Sequence, residues 1–404
     1  MKVLIMRPSF NPEMSAGNHL ALDLILDLKK AGHDVILISP VSEKYMGLPA
    51  DYQDPCIVYR VKSKIKGKSI IKRIIRYVNT SFLMYKCAKN LDYDVILSHS
   101  MPPLLGPFSC ILGKKKNKNV IYWEQDIVSN SIITTGLGVN NSLKQKLMYN
   151  IARMLEIYTE NHCSHIVTIS QQFKQMHVDR GVNSSKISVL YNWIDTTQIY
   201  PISRGENPLY EDLGIDRSDF IVSYCGNLGV PQNVEIMIDA AEILKNVSGL
   251  KFLLIGNGTR ENYIIDYLSN KKLNNVIYHP LYPLAQACQV YNVGDIGLVI
   301  GKKGTSKNGF PSKMWSILAA GQTIISCFDI ESELSQFVRS GNCGISIEPD
   351  SAEKLSQAIM VLFENRNMCK QYAKNARVFA IKYAERQNAT KQFINIINKV
   401  SDFS

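Results

Sequence analysis

Two stretches of the chain repeat one pattern, in which a short apolar run is followed by an amphipathic segment of helical period and then by another apolar run. The first reads KVLIM, GNHLALDLILDLKKAGH and DVILIS, and later DVILSHS, NVIYW and HIVTIS with helical segments between. The pattern restarts near Asp219 with FIVSYCGN, VEIMIDAAEILKNV, KFLLIGNG, NVIYHP, DIGLVI, PSKMWSILAAG and TIISCF. Apolar runs separated by helices predict parallel sheets wrapped by helices, so the fold class is α/β, with two Rossmann-like, doubly wound domains in series. A chain of 404 residues is also too long for one ordinary core.

The domains are expected at 1–200 and 201–383. The segment from about Asp195 to Arg217, with Pro201, Gly205 and Pro208, reads as the linker. From Ala384 to Val400, Phe393, Ile394, Ile396, Ile397 and Val400 fall at helical spacing, and the first domain is a candidate berth for this terminal helix, 384–404. Val95 to Gly113 is free of charged residues and long enough to span a bilayer, but Pro102, Pro103, Pro107, Gly106, Gly113 and His99 make a strand, turn and helix the better reading. The nine cysteines include no CxxC pair and read as reduced residues of a cytosolic protein.

Doubly wound sheets bind ligands beyond the carboxyl ends of their strands, where backbone N–H groups and helix N-termini favour phosphate. After the first strand, Gly17 opens a helix beside Asn18, either as a turn glycine or to let the backbone approach a ligand. In the second half the matching loops hold Gly226, Asn227 and Gln232, then Gly256 and Gly258. Farther on, Lys302, Lys303, Lys307 and Lys313 surround a glycine-rich turn that enters a helix at Ser312, and lysines beside free backbone donors predict an anion site. Lys313 lies in the first helical turn, where the dipole disfavours a cation unless an anion is present. Asp92-Tyr93-Asp94 has a metal-binding DxD form but precedes a buried run and reads as a turn; no metal is expected. His99 and His165 read as core or turn residues.

The order of AGNHLALDLILDLKKAGHDV, HIVTISQQF, ISVLYNWID, SYCGNLGVPQNVEIMIDAAEIL, FLLIGNGTRENYI and FPSKMWSILAAGQTIIS resembles the family-4 retaining glycosyltransferases of GT-B fold, of the bacterial capsule and O-antigen type. The resemblance implies two domains facing across a cleft, with a nucleotide sugar as co-substrate on the second, the acceptor on the first, and no cofactor or metal. The family's Arg-Lys pair on the donor diphosphate falls at Asn227 and Gln232, and its two glutamates at Asn308 and Ser316. Lys303, Lys307 and Lys313 are the available replacements for the missing charge. In YWEQDIVSNS, Gln125 stands where relatives carry histidine, and Asp126 remains. Asp126 is either the catalytic carboxylate or a cap closing a strand, and Glu124 shares its direction only if the strand runs that far.

The formal charge of +11 lies in the first half, where residues 1–200 carry 25 Lys and Arg against 15 Asp and Glu. Lys62, Lys64, Lys66, Lys68, Lys72, Arg73 and Arg76 interleave with Ile70, Ile71, Ile74, Ile75 and Val78. This is the profile of a helix on an anionic membrane surface, or of a Rossmann helix whose isoleucines face its own sheet. Lys114–Lys118 adds charge, but no nucleic-acid motif accompanies it. The expected activity is sugar transfer from a nucleoside-diphosphate sugar to a polyprenyl-diphosphate-linked saccharide, by a cytoplasmic enzyme peripheral on the inner face of the cell membrane. A sugar-nucleotide epimerase or hydrolase, and an inactive membrane-associated partner protein, are the competing readings.

Overall fold

The computed structural model describes residues 1–13, 17–42, 45, 47–67, 69–135 and 142–402. It forms two compact units, one of Met1–Tyr191, Lys307–Gly309 and Gln387–Ser404, the other of Asn192–Ser306 and Phe310–Arg386. The chain thus leaves the first unit at Tyr191, ahead of the expected boundary at 200.

The first unit holds strands β1 (Lys2–Met6), β2 (Asp34–Pro40), β3 (Ile57–Val61), β4 (Val95–His99), β5 (Asn119–Trp123), β6 (His165–Thr168) and β7 (Ile187–Val189). Its helices are α1 (Asn18–Lys30), α2 (Ile70–Lys89), α3 (Leu105–Lys116), α4 (Val128–Thr135), α5 (Ser142–His162) and α6 (Gln171–Asp179). All strands pair in parallel, in the order β3-β2-β1-β4-β5-β6-β7. Right-handed crossovers put α2, α3 and α5 on one face, and α3 packs between the other two. Their inner sides join Met84, Ala88, Leu105, Cys110 and Leu112 to Leu4, Ile96 and Ile166 in one core. The uncharged stretch after Val95 is β4, a turn and most of α3. Asp92 pairs with Lys2 Nζ at 2.8 Å, and Asp94 accepts from the Lys2 N–H at 2.7 Å, so the DxD stretch is a turn tied to β1.

The second unit holds β8 (Phe220–Asn227), β9 (Leu250–Asn257), β10 (Val276–His279), β11 (Ile296–Ile300), β12 (Thr323–Cys327) and β13 (Gly344–Ile347). Helices α7 (Leu209–Asp212), α8 (Glu235–Ile243), α9 (Glu261–Lys271), α10 (Ala287–Tyr291), α11 (Lys313–Ala319), α12 (Glu333–Ser340), α13 (Ala352–Glu364) and α14 (Arg366–Ala384) cover it. The parallel order β10-β9-β8-β11-β12-β13 is that of a dinucleotide-binding sheet, with its switch point between β8 and β11. The last helix, α15 (Arg386–Ser401), belongs to the first unit. Phe393 meets the Trp123 ring edge-on at 5.2 Å, and Thr390 Oγ1 donates to Asp27 Oδ2 at 2.8 Å.

A buried charge network ties β5 to α4, α5 and α6. Glu124, just beyond β5, accepts from Thr168 Oγ1 at 3.0 Å and pairs with His177 Nε2 at 2.7 Å. Glu160 pairs with Arg153 at 2.8 Å and Arg180 at 3.3 Å, and lies 3.2 Å from His177 Nδ1. Glu156 accepts from the Ser129 N–H at 2.8 Å and its hydroxyl at 2.6 Å. Burial alone lowers the His177 pKa, but the charges and hydrogen bonds of Glu124 and Glu160 prevail and hold it at about 10. Glu160 is likewise disfavoured by burial, yet the bonds from His177 and Arg153 bring it down to about 2.

Because the folded His177 pKa of about 10 lies above the ordinary value of 6.5, its stabilisation is complete below pH 6.5 and is lost as pH rises through 10. His177→Ala leaves two buried glutamates short of a cation, and is expected to cost about 3–5 kcal/mol in urea unfolding at pH 6. The cost should shrink as the pH is raised toward 10, and a pH-independent cost would remove the charge from the account.

Candidate functional site

At the carboxyl end of β8, Gly226 adopts φ +147°, a conformation that favours glycine. A Cβ there would stand 2.6 Å from Lys313 Nζ, the end of a flexible side chain, so the backbone conformation rather than room is what calls for glycine. The Lys313 amine is fully buried, lies 3.6 Å from the centre of the Tyr224 ring and meets no hydrogen-bond acceptor among the described residues. Burial brings its pKa down to about 7, with a small opposing effect from Cys225. The Tyr224 hydroxyl donates to Asn227 O at 2.8 Å, shaping the turn that carries Gly226. The Tyr291 hydroxyl joins Ser316 and Cys225, so the serine at the family's glutamate position is already engaged. An amine buried without an acceptor is costly, and an anion beside Gly226 would satisfy it.

The other residues expected here divide. Asn227 Nδ2 donates to Gln232 Oε1 at 3.2 Å, holding the loop after β8 to itself. Gly256 and Gly258 allow close packing: a Cβ would lie 2.5 Å from Gly226 O in one case and 2.4 Å from Leu228 O in the other. The lysine loop departs from the expected anion site. The N–H of Lys303 donates to Asp350 Oδ2 at 3.1 Å, and those of Gly304 and Ser306 to Asp329 at 2.7 and 3.0 Å. Carboxylates thus occupy the donors proposed for phosphate, and the Lys303 side chain is exposed. Lys307 belongs to the first unit, where its carbonyl accepts from Asn130 Nδ2 at 2.7 Å. Ser312 precedes α11, is exposed and makes no side-chain cap. Of the four lysines, Lys313 alone has its amine buried against the strand end.

In the first unit, Glu124 does not share the direction of Asp126. β5 ends at Trp123, and Glu124 turns inward to His177. Asp126 stands in the turn before α4, exposed and without a hydrogen-bond partner among the described residues, so the capping role is not filled. Surrounding protein and then the charge of Glu124 raise its pKa to about 6. Gly17, at φ +76°, and Asn18 are held by Arg7, which the sequence reading passed over. Its buried guanidinium donates to Ser9 O at 2.6 Å, Gly17 O at 3.2 Å and Asn18 Oδ1 at 3.1 Å, while Asn18 Nδ2 donates to Glu13 O at 2.7 Å. Asn18 is therefore a fastener of the loop, and the only sequence signal for Arg7 was a charge placed directly after an apolar strand. Nδ1 of His99 accepts from the Met101 N–H at 3.0 Å, and burial brings its pKa down to about 3. His165 Nε2 lies 2.9 Å from Ser188 Oγ. No group of side chains among the described residues has the makings of a metal site.

Two parallel Rossmann-type units in one chain give this protein the GT-B fold. Sucrose-phosphate synthase from Thermosynechococcus elongatus superposes with a TM-score of 0.83 at 14% identity, covering 100% of both chains. The profile of Glycosyltransferase Family 4 matches residues 17–198, and that of Glycosyl transferases group 1 matches 208–379. The chain is 22% identical over 415 residues to the putative colanic acid biosynthesis glycosyl transferase WcaI of Escherichia coli strain K12, covering 98% of this chain and 100% of the relative. It is 23% identical over 283 residues to the Escherichia coli UDP-Gal:alpha-D-GlcNAc-diphosphoundecaprenol alpha-1,3-galactosyltransferase, covering 67% and 68%. The chain belongs to the family-4 glycosyltransferases and is a transferase.

The folded Lys313 pKa of about 7 lies below the ordinary value of 10.5, so its burial destabilises the fold most below pH 7 and ceases to do so as pH rises past 10.5. Lys313→Met is expected to raise Tm, most clearly at pH 6, while weakening the binding of a diphosphate anion, with pyrophosphate as the probe, by about 1.5–3 kcal/mol, read by calorimetry. A variant that is destabilised at pH 6, or that binds pyrophosphate as before, would remove Lys313 from the site.

Proposed function

We propose that the chain transfers a sugar, with retention, from a nucleoside-diphosphate sugar to a polyprenyl-diphosphate-linked saccharide at the cytoplasmic face of the cell membrane. The observation that carries this reading is the buried, acceptor-less Lys313 amine against Gly226, in a sheet of dinucleotide-binding order. A relative whose name specifies a UDP-sugar donor and a diphosphoundecaprenol acceptor supports both substrate classes. In the reaction the bond from the anomeric carbon to the diphosphate oxygen breaks, and a bond to the acceptor hydroxyl forms. The ammonium of Lys313 stabilises charge on the departing diphosphate. Asp126, at a pKa of about 6, is ionised near neutral pH and accepts the proton of the acceptor hydroxyl. The reading assigns no role to a cofactor or a metal.

The membrane part of the proposal rests on α2. Ile71, Ile74, Ile75 and Val78 are 66%, 41%, 47% and 45% exposed, so these side chains do not pack on the sheet. Burial begins only with Thr80, Ser81, Met84 and Ala88 in the second half of the helix. Lys72, Arg73 and Arg76 flank the exposed apolar residues and α2 contains no acid; Lys68 lies outside the described residues. This arrangement suits an anionic bilayer surface. No helix among the described residues is long and apolar enough to cross a membrane.

The test is to incubate the protein with UDP-, GDP- and dTDP-sugars, with and without a lipid-linked acceptor, and to follow free nucleotide and glycosylated product. Nucleotide release that requires the acceptor is expected. Conversion without acceptor, or no turnover with any donor, overturns the proposal. Asp126→Asn should lower acceptor-dependent turnover about 10²–10⁴-fold with UDP affinity unchanged.

A further inference from the structure

α5 presents a second apolar stripe to the exterior. Leu143, Leu147, Ile151 and Met154 are 77%, 60%, 50% and 69% exposed. Their spacing of four, four and three keeps them on one side of the helix, over a length of about 17 Å. The opposite side is spoken for: Ala152 and Thr159 are buried, and Glu156 and Glu160 enter the charge network behind β5. Those glutamates are the only acidic residues of α5, so its outer side bears Lys144 and Lys146 but no carboxylate.

The placement of this stripe narrows what covers it. α2, α3 and α5 form one layer on the first sheet, with α3 in the middle. Helices that return the chain between parallel strands run against the strands, so α2 and α5 both begin at the carboxyl edge. Most of the exposed apolar residues of both helices, Ile71, Ile74, Ile75 and Val78 of α2 and Leu143, Leu147 and Ile151 of α5, lie in the halves nearest that edge, the edge at which Asp126 stands, while Phe82, Met154 and Ile157 lie farther along. Two half-exposed apolar helices whose outer sides carry lysine or arginine and no carboxylate therefore lie on one face and at one end of the unit. Pairing with a second copy about a two-fold axis would set this basic face against itself and bring like charges together. An anionic surface with an apolar interior matches both properties at once.

We propose that α5 is a second bilayer-contacting helix, so that the first unit rests on anionic lipid through α2 and α5 together and its carboxyl edge faces the headgroup layer. The outer residues of α5 enter the boundary between headgroups and acyl chains, and Lys144 and Lys146 stay among the phosphates. This rests on the reading of a lipid-borne acceptor, because a two-helix footing fixes the tilt of the acceptor-side loops where one helix would leave the unit free to roll.

The experiment uses the full chain and phosphatidylcholine vesicles with and without phosphatidylglycerol. Ile151→Trp is expected to show fluorescence quenching by brominated acyl chains; the native Trp123, Trp193 and Trp315, at 3%, 2% and 1% exposure, contribute a constant background. Leu147→Ser with Ile151→Ser should lower the vesicle-bound fraction in flotation about ten-fold or more, with Tm and transfer to a short-chain, water-soluble acceptor unchanged. Binding without quenching at position 151 overturns the inference, as does unchanged flotation of the double variant. Sedimentation that shows a dimer without vesicles, abolished by the same pair, also overturns it in favour of a second copy. Failure of transfer to the soluble acceptor with quenching intact would strike the catalytic reading and leave the lipid contact standing.

Discussion

A parallel ladder cannot return through a two-residue turn, so each strand of both sheets hands the chain to a longer connection, usually helical, that carries it back to the starting edge. Every strand then ends on the same side, and each sheet gathers its loops along one rim. In the second unit this brings Gly226, Gly256 and the turn before Lys313 together from positions far apart in sequence. In the first it lines up Arg7, His99 and Asp126 at the carboxyl ends of β1, β4 and β5. The same rule turns every covering helix against the strands, so the starting halves of α2 and α5 share that rim. Glycine supplies what the rim needs where backbones converge, as at Gly256 and Gly258, where any side chain would strike a carbonyl of the neighbouring turn.

The two units bury charge in opposite ways. Behind β5, three glutamates face His177, Arg153 and Arg180, and nearly every polar atom finds a partner within the group. Such a closed network fixes geometry: it holds the turn that carries Asp126 to three helices, and its inward pull on Glu124 separates two carboxylates only two positions apart. Lys313 is the reverse case, a buried amine over an aromatic face with no protein acceptor. A closed network is inert toward ligands, while an unanswered charge gives up stability in exchange for readiness to bind.

Much of the architecture was legible because periodicity is a local signal. The runs KVLIM, DVILIS and FIVSYCGN became strands, and the proline-bearing stretch after Val95 became β4 and α3. The site was less legible, because partners distant in sequence decided it. Nothing local reveals that Asp329 and Asp350 take the N–H groups of the lysine loop, or that Asn18 serves Arg7. Nor does the sequence separate Glu124 from Asp126 until the end of β5 at Trp123 is known. For α2 the pattern of isoleucines fits either a sheet-facing or an outward helix, and the exposures of Ile71 and Ile75 decide for the second. Lys313 differs because its signal was electrostatic and local: a cation at the start of a helix is out of place unless something negative lies nearby.

The return of α15 to the first unit has a consequence for the order in which the protein is built. Phe393 and Ile397 are wholly buried and Phe393 packs on Trp123, so the first unit to be synthesised is the last to be completed. Until residues 387–401 emerge, the growing chain carries an unfinished core at its beginning while the second unit folds as an uninterrupted whole, save for 307–309. The early segment must stay soluble with that flank uncovered, and the cell meets it in this state for the time needed to translate the entire second unit.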